Sequence, residues 1–171
     1  MQQKTPQIER HTIAILVDNE AGVLARVVGL FSGRGYNIES LTVAEVDHVA
    51  RTSRITVVTS GTPEVIEQIE AQIGRLVPVH RVVNWTVSKP GIEREMALVK
   101  VAGTGDKRVE ALRVSEAFRA RVIDTTHTSF VFEITGAPNK VDAFIDLMRP
   151  LGLVDVSRTG VAAISRGPEP M

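Results

Sequence analysis

A chain of 171 residues has room for one domain of ordinary size or two small ones. Its 20 basic and 20 acidic side chains cancel and 43% of its residues are hydrophobic, so neither disorder throughout nor a nucleic-acid-binding surface is favoured. The absence of cysteine excludes disulfides, thiolate zinc sites and thiol nucleophiles, and fits an intracellular location.

The opening "MQQKTPQIER" lacks the apolar core of a signal peptide, and no run approaches the roughly 20 apolar residues that cross a bilayer, so a soluble cytoplasmic protein is expected. "IAILV" at 13–17 reads as a buried strand ending in the turn "DNEAG". Leu24, Val27, Val28 and Phe31 then recur at helical spacing up to "SGRG", where glycines can stop a helix. A second strand is expected over 38–45, with "DHVAR" as its hairpin loop and "SRITVVTS" as the third strand. Thr62 and Pro63 fit the N-cap and first turn of a helix carrying Val65, Ile66, Ile69, Ile73 and Leu76. "VHRVVNWTV" completes a βαββαβ order, with Arg81, Val83, Trp85 and Val87 on one side.

"SKPGIERE" is polar, carries a Pro-Gly pair and reads as a domain boundary. The order then repeats: "MALVKV", the helix "KRVEALRVSEAFRA", the strands "RVIDTT" and "SFVFEITG", the helix "PNKVDAFIDLMRPLG", and "LVDVSRTGVAAISR" as the last strand. "SGTPEVIEQIEAQIGRL" aligns with "TGAPNKVDAFIDLMRPL" at constant offset, pairing Gly61 with Gly136, Pro63 with Pro138, Ile69 with Phe144 and Ile73 with Met148. The expected fold is α+β: two tandem ferredoxin-like βαββαβ domains over 10–88 and 89–166, with 167–171 as a disordered tail. Helices on one face leave the other face and the edges of each small sheet open, so subunit association is expected.

Chemistry is sparse. The four histidines lie in different predicted elements without metal-ligand spacing. "DTTHTSF", around His127, reads as a polar hairpin turn, because a serine triad assembles from separate elements around a strained turn. "AGTGDKR" lies before a helix but lacks a Gly-Lys-Ser/Thr ending, and reads as a cap. No catalytic or metal residue is assigned.

"DNEAGVLARV" differs because it opens a helix: free backbone N–H groups converge there, and Gly22 allows close approach of a carboxylate. Asn19 reads either as an N-cap or as a ligand for the mixed head group of an amino acid; Asn37 reads either as a residue leaving the turn or as a second ligand. The two asparagines flank one helix, so a pocket using both requires two chains.

"ILVDNEAGVLARVVGLFSGRGYNIESLTVA" resembles the N-terminal ACT domain of the regulatory (small) subunit of acetohydroxyacid synthase, also called acetolactate synthase. The likeness continues through "RITVVTSG", "IEQIEAQIGRLVPVHRVV", "EREMALVKV" and "SRTGVAAISRG", which spans nearly the whole chain. The resemblance implies a non-catalytic homodimer, joined through its ACT domains, that binds and activates the catalytic (large) subunit and confers feedback inhibition by valine or another branched-chain amino acid. It assigns thiamine diphosphate, magnesium and FAD to the catalytic subunit and none to this chain. Carried over by motif, Asn19, Gly22, Val23 and Leu24 of one chain, with Asn37 and Ile38 of its neighbour, would hold the effector. "AEVDHVART" departs from the motif and carries no assignment. The alternative is a stand-alone ACT-domain amino-acid sensor acting on another enzyme or on transcription, although no basic helix-turn-helix segment is evident.

Overall fold

The structure is a computed structural model that describes residues 7–87 and 91–171; Ser88, Lys89 and Pro90, which open the expected interdomain boundary, and most of the opening segment lie outside the described residues. In chain order the elements are β1 (Glu9–Asp18), α1 (Val23–Gly33), β2 (Ser40–Asp47), β3 (Thr52–Gly61), α2 (Pro63–Ile73), β4 (Val79–Asn84), β5 (Ile92–Ala102), α3 (Asp106–Phe118), β6 (Arg121–Thr125), β7 (Ser129–Gly136), α4 (Pro138–Met148), a 3₁₀ turn (Arg149–Leu151), β8 (Leu153–Arg158) and β9 (Ala162–Ile164). The two βαββαβ repeats expected from the sequence are present. Among the described residues no helix is long and apolar enough to cross a membrane.

The chain forms two compact units: the residues up to Ile92 together with Val161–Met171, and Glu93–Gly160. In the first, the sheet order β2-β3-β1-β4 is antiparallel throughout, with Ile13 opposite Val57 on one side and Asn84 on the other. Strand alternation sends Ile13, Ile15 and Val17 of β1, with Ile55 and Val57 of β3, to the helical face, where they meet Val23, Val27 and Phe31 of α1 and Ile66, Ile69 and Ile73 of α2. The stripe of α1 therefore starts at Val23, one residue earlier than the spacing predicts. Leu24, 39% exposed, lies about 100° further round the helix and projects from the first turn.

The other sheet face of this unit is not left bare as expected. Ala163 and Met171 of the returning segment join Ala14 and Trp85 in a small apolar cluster, with Leu16 and Val83 against it. The segment is anchored where the Thr42 hydroxyl donates to the Val161 carbonyl at 2.9 Å and the Val161 N–H donates to Ser40 Oγ at 2.9 Å. Two sequence expectations are thereby corrected. "LVDVSRTGVAAISR" is not one strand, because β8 ends at Arg158 and the chain turns at Gly160, φ 84°, before β9. The boundary at 166/167 and the disordered tail give way to a covering segment over 161–171, because apolar residues at its two ends bury on the sheet.

The second unit repeats the plan with sheet order β6-β7-β5-β8. Ala97, Val99 and Val101 of β5 and Phe130, Phe132 and Ile134 of β7 pack against Ala111 of α3 and Val141, Phe144 and Met148 of α4. The predicted repeat is exact in register where it was read: α2 and α4 are both 11 residues long, and the buried Ile66, Ile69 and Ile73 correspond to Val141, Phe144 and Met148. A buried ion pair closes one end of this sheet. Glu95, with a side chain 4% exposed, accepts from Arg158 Nε at 2.8 Å and Nη2 at 2.6 Å, and Arg158 Nη1 donates to Asp142 at 2.7 Å. These bonds raise the Arg158 pKa, the Glu95 hydrogen bonds first among the causes.

Candidate functional site

The connection from β1 to α1 is short and held at both sides. The Asp18 N–H donates to the Pro78 carbonyl at 2.9 Å and the Asn19 N–H to the Arg51 carbonyl at 2.7 Å, which fixes the loop between β4's approach and the β2–β3 hairpin. The Asp18 carboxylate sits 2.6 Å from His80 Nε2, and Glu20 pairs with Arg26 at 3.6 Å. The hairpin itself is shaped by Asp47, whose Oδ1 accepts from the N–H groups of Val49 and Ala50. Arg51, at φ 51°, then returns the chain to β3 with its carbonyl facing Asn19. This carbonyl anchor was not foreseen, since a backbone contact across 32 residues leaves no mark in residue type.

Asn19 is not the N-cap. That position is Gly22, in the left-handed region at φ 87° and ψ −8°, with no side chain capping the helix. The first intrahelical bond runs from the Arg26 N–H to the Gly22 carbonyl at 3.1 Å, and the Val23 N–H reaches the Glu20 carbonyl only at 3.5 Å. The N–H groups of Leu24 and Ala25 are left without an acceptor among the described residues, at the positive end of the helix dipole. A Cβ built on Gly22 meets nothing within 4 Å, so the space beside Gly22 is open. Val23 is buried in the core and contributes backbone only, whereas the Leu24 side chain beside it is exposed.

Asn37 and Ile38 lie beyond the other end of α1. The helix has 11 residues, or roughly 16 Å at 1.5 Å per residue, so one chain does not bring Asn37 to Asn19. Asn37 is anchored through its backbone carbonyl, which accepts from the Thr59 hydroxyl at 2.6 Å, and its side chain is exposed; Ile38 packs on the first core. Neither Asn19 nor Asn37 has a side-chain hydrogen-bond partner among the described residues. Asn19, Gly22, Val23 and Leu24 thus lie together at the start of α1, and Asn37 and Ile38 lie beyond its other end.

The remaining motifs fold as local structure. In the β6–β7 turn, Thr126 Oγ1 accepts from the Ser129 N–H at 3.0 Å and lies 2.7 Å from Ser129 Oγ, leaving no His127–Ser129 pair. At the start of α3 the Arg108 and Val109 N–H groups both close on the Gly105 carbonyl, and the Arg108 guanidinium stacks 3.8 Å from the Phe130 ring centroid. Among the described residues no group of three or more His, Asp or Glu side chains is gathered to hold a metal ion.

Comparison with known proteins accounts for both units. The family model "AHAS small subunit-like ACT domain" matches residues 13–81, and the model "Small subunit of acetolactate synthase" matches residues 94–167. The chain is 46% identical over 158 residues to a probable acetolactate synthase small subunit of Archaeoglobus fulgidus, covering 92% of this chain and 98% of that one. It is 44% identical over 163 residues to the acetolactate synthase isozyme 3 small subunit of Escherichia coli, covering 92% and 96%. The crystal structure of the acetolactate synthase small subunit from Thermotoga maritima superposes with a TM-score of 0.82 at 38% identity, covering 94% of this chain and 99% of that one.

Proposed function

Because this chain belongs to the acetolactate synthase small-subunit family, we propose that it is the non-catalytic, cytoplasmic partner of the thiamine-diphosphate-dependent catalytic subunit, which it activates and places under feedback inhibition by valine or another branched-chain amino acid. The observation that carries the effector reading is the uncapped start of α1 at Gly22. The unpaired N–H groups of Leu24 and Ala25 suit a carboxylate. The Asn19 amide, free of any capping duty, offers both donors and acceptors to the head group, and Leu24 offers an apolar surface to a branched side chain.

One chain supplies only half of such a pocket. In the proposed homodimer, Asn37 and Ile38 of the neighbouring chain close it from the far end of their own α1. Selectivity among valine, leucine and isoleucine then rests on shape, where one methylene is worth about 1–3 kcal/mol, and is modest. Thiamine diphosphate, magnesium and FAD belong in this reading to the catalytic subunit.

Two measurements test the proposal. Acetolactate formation by the catalytic subunit should rise when this chain is added and fall again along a valine titration. Calorimetry should show valine binding to the wild-type chain and weakened binding to Asn19→Ala and to Asn37→Ala alike. Activity indifferent to the chain removes the regulatory role, and undiminished affinity in both variants removes the site.

A further inference from the structure

A cavity lined by none of the residues at the start of α1 lies within the first unit where the covering segment meets the edge strand β4. It encloses about 210 Å³ and is lined by Arg81, Val83, Trp85, Arg166, Pro170 and Met171. At roughly 30 Å³ per water that is space for about seven waters, so an occupant is a small molecule.

Three features of the lining point to an anion with an apolar body. Trp85 is only 4% exposed, yet its indole N–H has no acceptor. A buried donor is ordinarily paired, and an indole N–H can be satisfied only by an acceptor. Arg81 and Arg166 add two guanidinium groups, neither of which has a carboxylate within ion-pair distance among the described residues. Glu169 also lines the cavity and is engaged within the protein. Val83, Pro170 and Met171 supply the apolar part. Ser165 is already committed, its hydroxyl donating to the Glu169 carbonyl at 2.9 Å.

We propose that this cavity binds a small monocarboxylate with an apolar body, its carboxylate held by Arg81, Arg166 and the Trp85 indole N–H, and its body by Val83, Pro170 and Met171. A planar carboxylate offers enough lone pairs for two guanidiniums and one indole donor together. Its occupancy ties the covering segment, through Arg166 and Met171, to the sheet that also carries β1 and the loop at Asn19.

Trp85 is the sole tryptophan of the chain, so its indole resonance in a ¹H–¹⁵N correlation spectrum reports on this cavity alone. Benzoate titrated into the full-length chain should move that resonance downfield with saturation, as an N–H acquiring an acceptor does. Benzamide, of the same shape without charge, should not. Arg81→Gln should weaken benzoate binding by at least about tenfold, since a charge-assisted bond is lost, while Arg113→Gln on α3 should leave it unchanged. A linear, unsaturable shift overturns the proposal, as do equal responses to benzamide or in Arg81→Gln. A saturable response to inorganic phosphate with none to benzoate replaces the carboxylate by a bare anion and also overturns it.

Discussion

Gly22→Ala separates folding from effector binding with unusual economy. At φ 87° the alanine is held in the left-handed region, which costs about 1–2 kcal/mol for a residue bearing a Cβ. The added methyl meets no protein atom within 4 Å, so no packing clash adds to that figure. Reduced freedom of the unfolded chain offsets about 0.4–1 kcal/mol, and the net loss of stability is about 1 kcal/mol. On the proposed placement, the effector carboxylate lies over the Leu24 and Ala25 N–H groups beside Gly22, where the added methyl would crowd it. Displacing it weakens valine binding at least tenfold, which corresponds to about 1.4 kcal/mol. Gly167→Ala serves as control, since its φ of 84° and equally open surroundings impose similar strain outside the site. Calorimetry with valine and denaturant unfolding on the three proteins give the answer. A Gly22→Ala protein that binds valine like the wild type, at the expected stability, refutes the placement of the carboxylate.

Arg158→Met strands the buried Glu95 carboxylate and should destabilise the second unit by about 3 kcal/mol, the lower end of the range for a broken buried pair because Arg158 is partly exposed. The double variant Glu95→Leu/Arg158→Met should recover most of that loss in hydrogen exchange of β5 and β8, and a double variant as unstable as the single one contradicts the account. Gly152→Ala should cost at least about 3 kcal/mol, since φ is 107° and the new Cβ falls 2.0 Å from the Ala102 carbonyl oxygen, forcing apart the strands joined by the Ala102 N–H to Gly152 carbonyl bond. At the start of α2, the Glu64 pKa is lowered from 4.5 by its own backbone N–H and then by the Thr62 hydroxyl. Its stabilising contribution is therefore present above the unfolded-state value and lost as pH falls through the folded one. Carboxyl NMR titration should place Glu64 below 4.5, with Thr62→Val moving it back upward.

Helical and strand periodicity made both sheets and three of the four helices legible, because the buried stripes of α1, α2 and α4 are long and apolar. Helix α3 buries only Ala111 and Ser115, and it was found by its place in the repeat and not by its own pattern. The returning segment escaped notice for a physical reason: Ala163 and Met171 are single apolar contacts without period, separated by polar residues and prolines, and their burial depends on a groove beside Trp85 that only the folded sheet provides. At the site, position was readable and duty was not. "DNEAGV" announced a helix start, yet Asn19 as cap and Asn19 as ligand predict the same residue type, and only the backbone of Gly22 decides against the cap.

That decision bears on why the motif needs two asparagines. A capped helix start is self-sufficient, its donors satisfied within the chain and its mouth closed. With a left-handed glycine in the cap position the donors of Leu24 and Ala25 stay open, a standing loss of roughly a few tenths of a kcal/mol relative to a side-chain cap. Leaving it open is consistent with an acceptor that arrives from outside, and in the proposed dimer the distance to Asn37, a full helix away, puts the second wall on the neighbouring chain. In that proposed arrangement dimerisation and effector binding are thermodynamically linked, and valine should tighten self-association of the chain by the same factor by which self-association tightens valine binding. Sedimentation of the chain across protein concentrations, with and without valine, measures that factor directly. A dissociation constant unmoved by saturating valine would place the whole pocket inside one chain, where the geometry of α1 leaves Asn37 unable to contribute.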